Sequence, residues 1–261
     1  MIIQFTSDLN YIPQRIVSLV PSQTELLSHL GLDEVVIGIT KYCVHPGEWL
    51  NKKMLVGGTK NINIGLIESI QPDLIIANKE ENIKEQVEAL ANNYQVWVSD
   101  VTDLSSALHM IRDIGALTNT SDQALQLVSE INSGFGALPL KIPAIPAAYL
   151  IWRKPYMTIG GDTFINDMMH RCGLRNVFEK EKRYPAITVE MLKDSGCHVL
   201  LLSTEPYPFK QQHVIELQQQ LPGMKILLVD GELFSWYGSR LLKTPGYLQS
   251  LQQHIQYNNQ N

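Results

Sequence analysis

Residues 69–100 read SIQPDLIIANKEENIKEQVEALANNYQVWVSD, and residues 195–230 read SGCHVLLLSTEPYPFKQQHVIELQQQLPGMKILLVD. Each runs from a helix end through a short β-rich apolar strand, a polar loop and an amphipathic stretch to a second apolar strand. In the first, Ile83, Val87 and Leu90 recur at helical spacing with charges between them, the mark of a crossover helix. In the second, QQHVIELQQQL takes that part. Short buried strands alternating with such helices specify a parallel α/β architecture. Its appearance in both halves of the chain predicts two α/β lobes with central, mostly parallel sheets.

Outward from these stretches, RIVSLV (15–20) and VVIGIT (35–40) join the first set of strands and AAYLIW (147–152) joins the second. Between the sets, TSDQALQLVSEINSGFGAL opens on a T-x-x-Q capping pattern at Thr120. It then carries Leu125, Val128, Ile131, Phe135 and Leu138 at spacings of three and four. One helix over 121–138 is expected, about 27 Å long at the rise of an α-helix, weakened toward its end by Gly134 and Gly136. The prolines of PLKIPAIPAA stop it. The expected division is therefore 1–118 for an N-terminal lobe, 119–141 for a connecting helix and 142–261 for a C-terminal lobe, with lobe cores near 12–115 and 146–257.

A chain of 261 residues that is 44% hydrophobic can bury a large core. A net charge of −5 and the lack of any Lys/Arg block exclude a nucleic-acid partner. No apolar stretch nears the roughly 20 residues of a membrane helix, and MIIQFTSDLNYIP has neither a basic nor an apolar leader region. As it stands the sequence predicts a cytoplasmic protein, or a periplasmic or lipid-anchored one if a leader has been removed. Cys43, Cys172 and Cys197 are odd in number and widely spaced, which implies no disulfide framework.

Loops at the carboxyl ends of parallel strands form the ligand crevice of α/β sheets, and here they carry aromatic and charged groups together. TKYCVHPGEW (40–49) follows VVIGIT and offers Tyr42, Cys43 and His45; Lys79 follows DLIIAN. Arg153 and Tyr156 follow AAYLIW, Tyr207 follows HVLLLS, and GELFSWYGSR after KILLVD supplies Phe234, Trp236, Tyr237 and Arg240. Tyr184 in KEKRYPAIT is a similar case. The glycines and serine around Trp236 and Tyr237 predict an exposed aromatic cluster. Flat apolar faces with polar tips suit a large planar ligand with a polar fringe. His45 reads equally as pocket lining or as a loop histidine satisfied by a carbonyl. Cys43 reads as a small buried hydrophobe or, with His45, as a metal ligand. His170, Cys172, Cys197 and His198 read as structural.

Catalytic signatures are missing from the sequence: no G-x-S-x-G elbow, P-loop or G-x-G-x-x-G follows a strand, and VGG at 56–58 is a lone glycine pair. In an extended C-V-H segment Cys43 and His45 would point to the same side, but no third group is identifiable to orient the histidine. Binding is thus expected over catalysis. The alternatives are a direct metal-ion binder using Cys43 and His45, and a cytoplasmic chelatase or corrinoid-processing enzyme.

RIVSLVPSQTELLSHLGL, VVIGITKYCVHP, VGGTKNINIGLIESIQPDLIIAN, GGDTFINDMMHRCGLRNVF and ITVEMLKDSGCHVLLLS together resemble the class III periplasmic binding proteins, the helical backbone metal receptors. This group includes vitamin B12, ferric-siderophore and haem binding proteins of ABC importers. The resemblance covers nearly the whole chain. It implies two lobes joined by one long backbone helix and a metal chelate (corrinoid, ferric siderophore or haem) bound in the cleft between them. It also implies a monomer that docks on an ABC permease through one acidic residue on each lobe. Glu190 matches that position in the second lobe. In the first the position falls on Gly65, with Glu68 three residues on as the substitute.

Overall fold

A computed structural model describes residues 1–139 and 144–257. The chain divides into two compact units, the first comprising Met1–Val101, Ser105–Ile131 and Tyr237–Arg240 and the second the remainder. The expected boundary at 141–142 and the last four residues of the expected second lobe lie outside the described residues.

The elements run β1 (Ile2–Ile3), β2 (Ile16–Ser18), α1 (Pro21–His29), β3 (Val36–Ile39), α2 (Trp49–Lys52), β4 (Met54–Leu55), α3 (Ile64–Ile70), β5 (Leu74–Asn78), α4 (Lys84–Ala91) and β6 (Val96–Ser99) in the first unit, then α5 (Leu104–Leu117), which belongs to it from Ser105, and α6 (Ser121–Gly136), which belongs to it as far as Ile131. The strands form one six-stranded parallel sheet in the order β1-β6-β5-β2-β3-β4. Strands buried on both faces need continuous apolar runs, and β5 is buried at every position from Leu74 to Asn78. Val17, Leu19, Ile67, Ile75, Val87, Leu90 and Val96 pack into its core. The crossover predicted from Ile83, Val87 and Leu90 is α4.

The second unit continues with β7 (Ile145–Leu150), β8 (Tyr156–Met157), α7 (Phe164–Arg171), β9 (Leu174–Asn176), β10 (Ala186–Ile187), α8 (Val189–Asp194), β11 (Val199–Ser203), α9 (Gln211–Gln220), β12 (Lys225–Val229), α10 (Glu232–Ser235) and α11 (Thr244–Tyr257). A parallel sheet in the order β12-β11-β7-β9 carries it, and β8 and β10 form a separate antiparallel pair. Leu150, Leu200, Leu202, Phe209, Leu217 and Ile226 are central to its core. The predicted α/β class with mostly parallel sheets is the observed one.

The stretch expected as a helix over 121–138 ends as α6 at Gly136. It packs on α5 where a side chain on Gly115 would come within 2.5 Å of the Ala124 Cβ, so glycine is required there. Gly134 has a packing reason as well, since a Cβ on it would meet Pro245 at 3.1 Å. Residues 237–240 belong with the first unit although their neighbours on both sides belong to the second.

Candidate functional site

In the first unit, Tyr42 and His45 follow β3 and Lys79 follows β5, at one end of a parallel sheet. Tyr42 is 52% exposed, and its ring is seated against Gly58, where an added Cβ would lie 3.0 Å from the tyrosine Cε2. The Lys41 ammonium sits 5.2 Å from the same ring. Lys79 is exposed and paired with Asp100 at 2.5 Å, so its charge is largely answered within the unit.

Cys43 faces the other way. The segment is a turn, closed by the Cys43 N–H donating to the Thr40 carbonyl, and not the extended strand that would aim Cys43 and His45 to one side. The thiol is fully buried and lies 3.1 Å from the Thr24 hydroxyl and 3.2 Å from that of Thr40. Burial pushes its pKa up, against those hydroxyl contacts. This is the setting of a small buried polar contact within the core of the first unit. Among the described residues no three of His, Cys, Asp and Glu converge in a set able to hold a metal ion. His45 is half-buried beside this turn.

In the second unit three predicted residues come together. Arg153, just past β7, donates to both carboxylate oxygens of Glu216 on α9, at 2.5 and 2.7 Å, and interacts with the side chains of Tyr156 and Tyr207. These contacts hold the guanidinium more firmly charged than usual. Tyr207 stands edge-on to Phe209, with centroids 4.7 Å apart, and to Trp152, 5.7 Å apart. His213 of α9 lies behind, 5.7 Å from Tyr207 and 5.6 Å from Phe209. Trp152, absent from the predicted set, is 41% exposed. It escaped notice as the last apolar letter of the strand AAYLIW, whereas β7 ends two residues earlier. Tyr184 is half-buried, close to the point where β10 pairs Ile187 with Tyr156 of β8.

The expected exposed cluster in GELFSWYGSR is overturned, because Phe234, Trp236, Tyr237 and Arg240 are all buried. Phe234 packs on Tyr149, with centroids 5.1 Å apart, and edge-on to Tyr247. Tyr237 is hydrogen-bonded with Ser22, and burial, then the carboxylates of Glu81 and Glu80, raise its pKa. Arg240 donates two hydrogen bonds of 2.8 Å to Glu25 of α1. Serine and glycine letters read as loop signals hid the short helix α10. Gly231 is there because any side chain would strike Ser203 Oγ at 2.4 Å and Glu205. The four side chains are held by core packing and by the Arg240–Glu25 pair.

Two hollows lie at strand ends. One of about 640 Å³ opens in the first unit beside β6 and α5 and includes Lys79, Asp100, His109 and Asp113. One of about 490 Å³ in the second unit is bordered by Glu205, Asp230, Glu232 and Tyr247. Glu190 and Glu68 are exposed, on α8 and α3 respectively. Glu190 sits in the first turn after the Thr188 cap, and hydrogen bonds from its own backbone N–H and from Thr188 lower its pKa.

Comparison with known proteins places this fold. The uncharacterized ABC transporter substrate-binding lipoprotein YvrC of Bacillus subtilis (strain 168) is 29% identical over 192 residues, 69% of this chain and 60% of that protein. The vitamin B12-binding protein of Pectobacterium carotovorum subsp. carotovorum (strain PC1) is 25% identical over 238 residues, 88% of this chain and 85% of that one. A possible iron-binding (periplasmic solute-binding) protein from Staphylococcus epidermidis ATCC 12228 superposes with a TM-score of 0.77 at 23% identity, covering 94% of this chain and all of the other. The periplasmic vitamin B12 binding protein BtuF of Vibrio cholerae gives 0.74 at 18% identity over 94% of this chain and 98% of that one, a likeness of fold. The model of the periplasmic binding protein family matches residues 16–220, and with the parallel sheets and strand-end loops described above, the chain belongs to that family of binding proteins.

Proposed function

We propose that this protein is the substrate-binding component of an ABC-type importer and that its ligand is a metal chelate of the corrinoid, haem or ferric-siderophore kind. The observation that carries the ligand class is the braced aromatic surface of the second unit. Trp152 is presented edge-on to Tyr207, and Tyr207 is fixed by Arg153, Phe209 and His213. A planar macrocycle or chelate offers a large apolar face, and an aromatic side chain held in place beforehand takes it at little ordering cost. Tyr42 is a second presented ring, and His45 beside it is an imidazole suited to a metal centre or polar fringe. Lys79, Arg153, Tyr156, Tyr184 and Tyr207 complete the ligand set in this reading. The curated relatives named for vitamin B12 support the class of ligand.

The same reading assigns Glu190 and Glu68 to docking on the permease, as two exposed carboxylates on separate helices. It retains the division into lobes at 1–118 and 142–261 with α6 within the connecting stretch, and moves 237–240 to the first lobe. It places the protein outside the cytoplasmic membrane or anchored to it, as the lipoprotein relative suggests. The test is titration of the purified chain with cyanocobalamin, haemin and a ferric siderophore, followed by absorbance and tryptophan quenching. Binding of one at micromolar strength or better, weakened in Trp152→Ala, supports the reading; three blank titrations refute it.

A further inference from the structure

The aromatic surface of the second unit rests on one histidine that the ligand reading uses only as a brace. α9 begins at Gln211 after Lys210, a residue whose side chain supplies no cap. The cap comes instead from three residues on, where His213 Nδ1 accepts the Lys210 backbone N–H at 2.9 Å. This is the back-reaching half of a capping box, with an imidazole where glutamate or glutamine is usual. The ring is buried, with Tyr207 and Phe209 both in ring contact with it. One turn along the same helix face, Glu216 holds Arg153, whose guanidinium interacts with Tyr207. Loop 204–210 is thus fastened at its end by the histidine and at Tyr207 by the pair that α9 supports.

We infer that His213 is the positioning residue of the Tyr207 loop, and that protonating it releases the loop and with it the ligand surface. Only the neutral ring offers a lone pair at Nδ1. Adding a proton there sets N–H against the Lys210 N–H, and the cap is lost with a buried group left unsatisfied. The charged groups facing the ring are Arg153 from the loop after β7, Lys210 just before its own helix and Glu216 on that helix. Two are cations that oppose imidazolium. The third favours it, but Glu216 can answer an imidazolium only by loosening Arg153, which has the same consequence. Burial, then Arg153, lower the histidine pKa, an effect that Glu216 opposes. The sign follows: the folded loop favours the neutral ring, so its stability is complete above the ordinary histidine value and is lost as pH falls from there toward the lowered one.

This inference rests on the proposed ligand surface for its consequence, and its test separates the two. The Lys210 amide protection factor is measured by NMR hydrogen exchange between about pH 7.5 and 5 in the full chain and in His213→Gln, which keeps a neutral acceptor. Haemin and cyanocobalamin affinities are measured on the same samples. Protection in the wild type should fall by about tenfold for each tenfold difference in proton affinity between closed and open loop, and the chelate affinity should fall with it. His213→Gln should be flat in both. Wild-type protection that does not change across this range overturns the inference, whether or not the variant folds. Protection that falls while neither chelate binds at any pH supports the loop switch and refutes the chelate reading instead.

Discussion

WRKPY at 152–156 and GELFSWYGSR at 231–240 both follow a parallel strand of the second sheet, and both carry aromatic residues and an arginine. The first displays its tryptophan, while the second buries Phe234, Trp236, Tyr237 and Arg240. The arginines explain much of the difference. Arg153 is answered by Glu216 of the same unit, which stiffens a loop without drawing it inward. Arg240 finds Glu25 on α1, and that pair fastens the whole of 237–240 into the first unit. Where a loop's charge finds its partner decides whether its aromatic rings meet solvent or core.

If that contrast is sound, the two loops fail differently when cut. The largest effect is expected from Phe234→Ala, which opens a cavity against Tyr149 and Tyr247 and should cost about 3–5 kcal/mol in denaturant unfolding. Arg240→Ala leaves Glu25 partly buried and unpaired, and should cost about 3 kcal/mol. Restoring neutrality with Glu25→Gln in the same chain should recover part of that loss. Trp152→Ala should do the reverse: stability within about 0.5 kcal/mol of wild type and chelate affinity weakened about tenfold or more. A Trp152 variant that unfolds, or an Arg240 variant that is as stable as wild type, would erase the distinction between the loops.

Glu81 gives a smaller, pH-dependent effect. Burial, then Glu80, raise its pKa, with Lys60 opposing, so the folded state holds its proton more tightly than the unfolded one. Its contribution is therefore favourable at acid pH and is lost as pH rises past the ordinary carboxylate value. Glu81→Gln should melt higher than wild type at about pH 7.5, and the gap should close near about pH 4.5. Smallest of all is the expected thiol signal. Cys43, Cys172 and Cys197 are buried, and burial pushes Cys197 up to about 12, so a thiol reagent near neutral pH should label the chain only after denaturation.

The fold was legible because its evidence is periodic. DLIIAN, QVWVSD, HVLLLS and KILLVD each lie within one residue of an observed strand, since short apolar runs alternating with amphipathic stretches mark the strands of a parallel sheet. The two-residue strands β1, β4, β8 and β10 carry no period and were invisible. The candidate site was legible only in part. Tyr156, Tyr207 and Arg153, singled out because loops at strand ends gather ligand groups, do lie together. Exposure, however, depends on partners far away in sequence, and nothing local in GELFSWYGSR announces Glu25, 215 positions from Arg240. Trp152 was lost to a boundary error of two residues, which moved a presented ring into a strand. His45 and Cys43 were paired by an alternation that a turn does not obey.

The central claim is that a chelate binds on rings held in place in advance. Titration of wild type and Trp152→Ala with cyanocobalamin, haemin and a ferric siderophore, with melting temperatures recorded on the same samples, tests it most directly. The account predicts that one of the three binds with a dissociation constant of about 1 μM or tighter, that it raises the wild-type melting temperature, and that the variant loses at least about tenfold in affinity while melting as the wild type does. Equal affinity in the two proteins for every chelate that binds, or no binding of any, would contradict it.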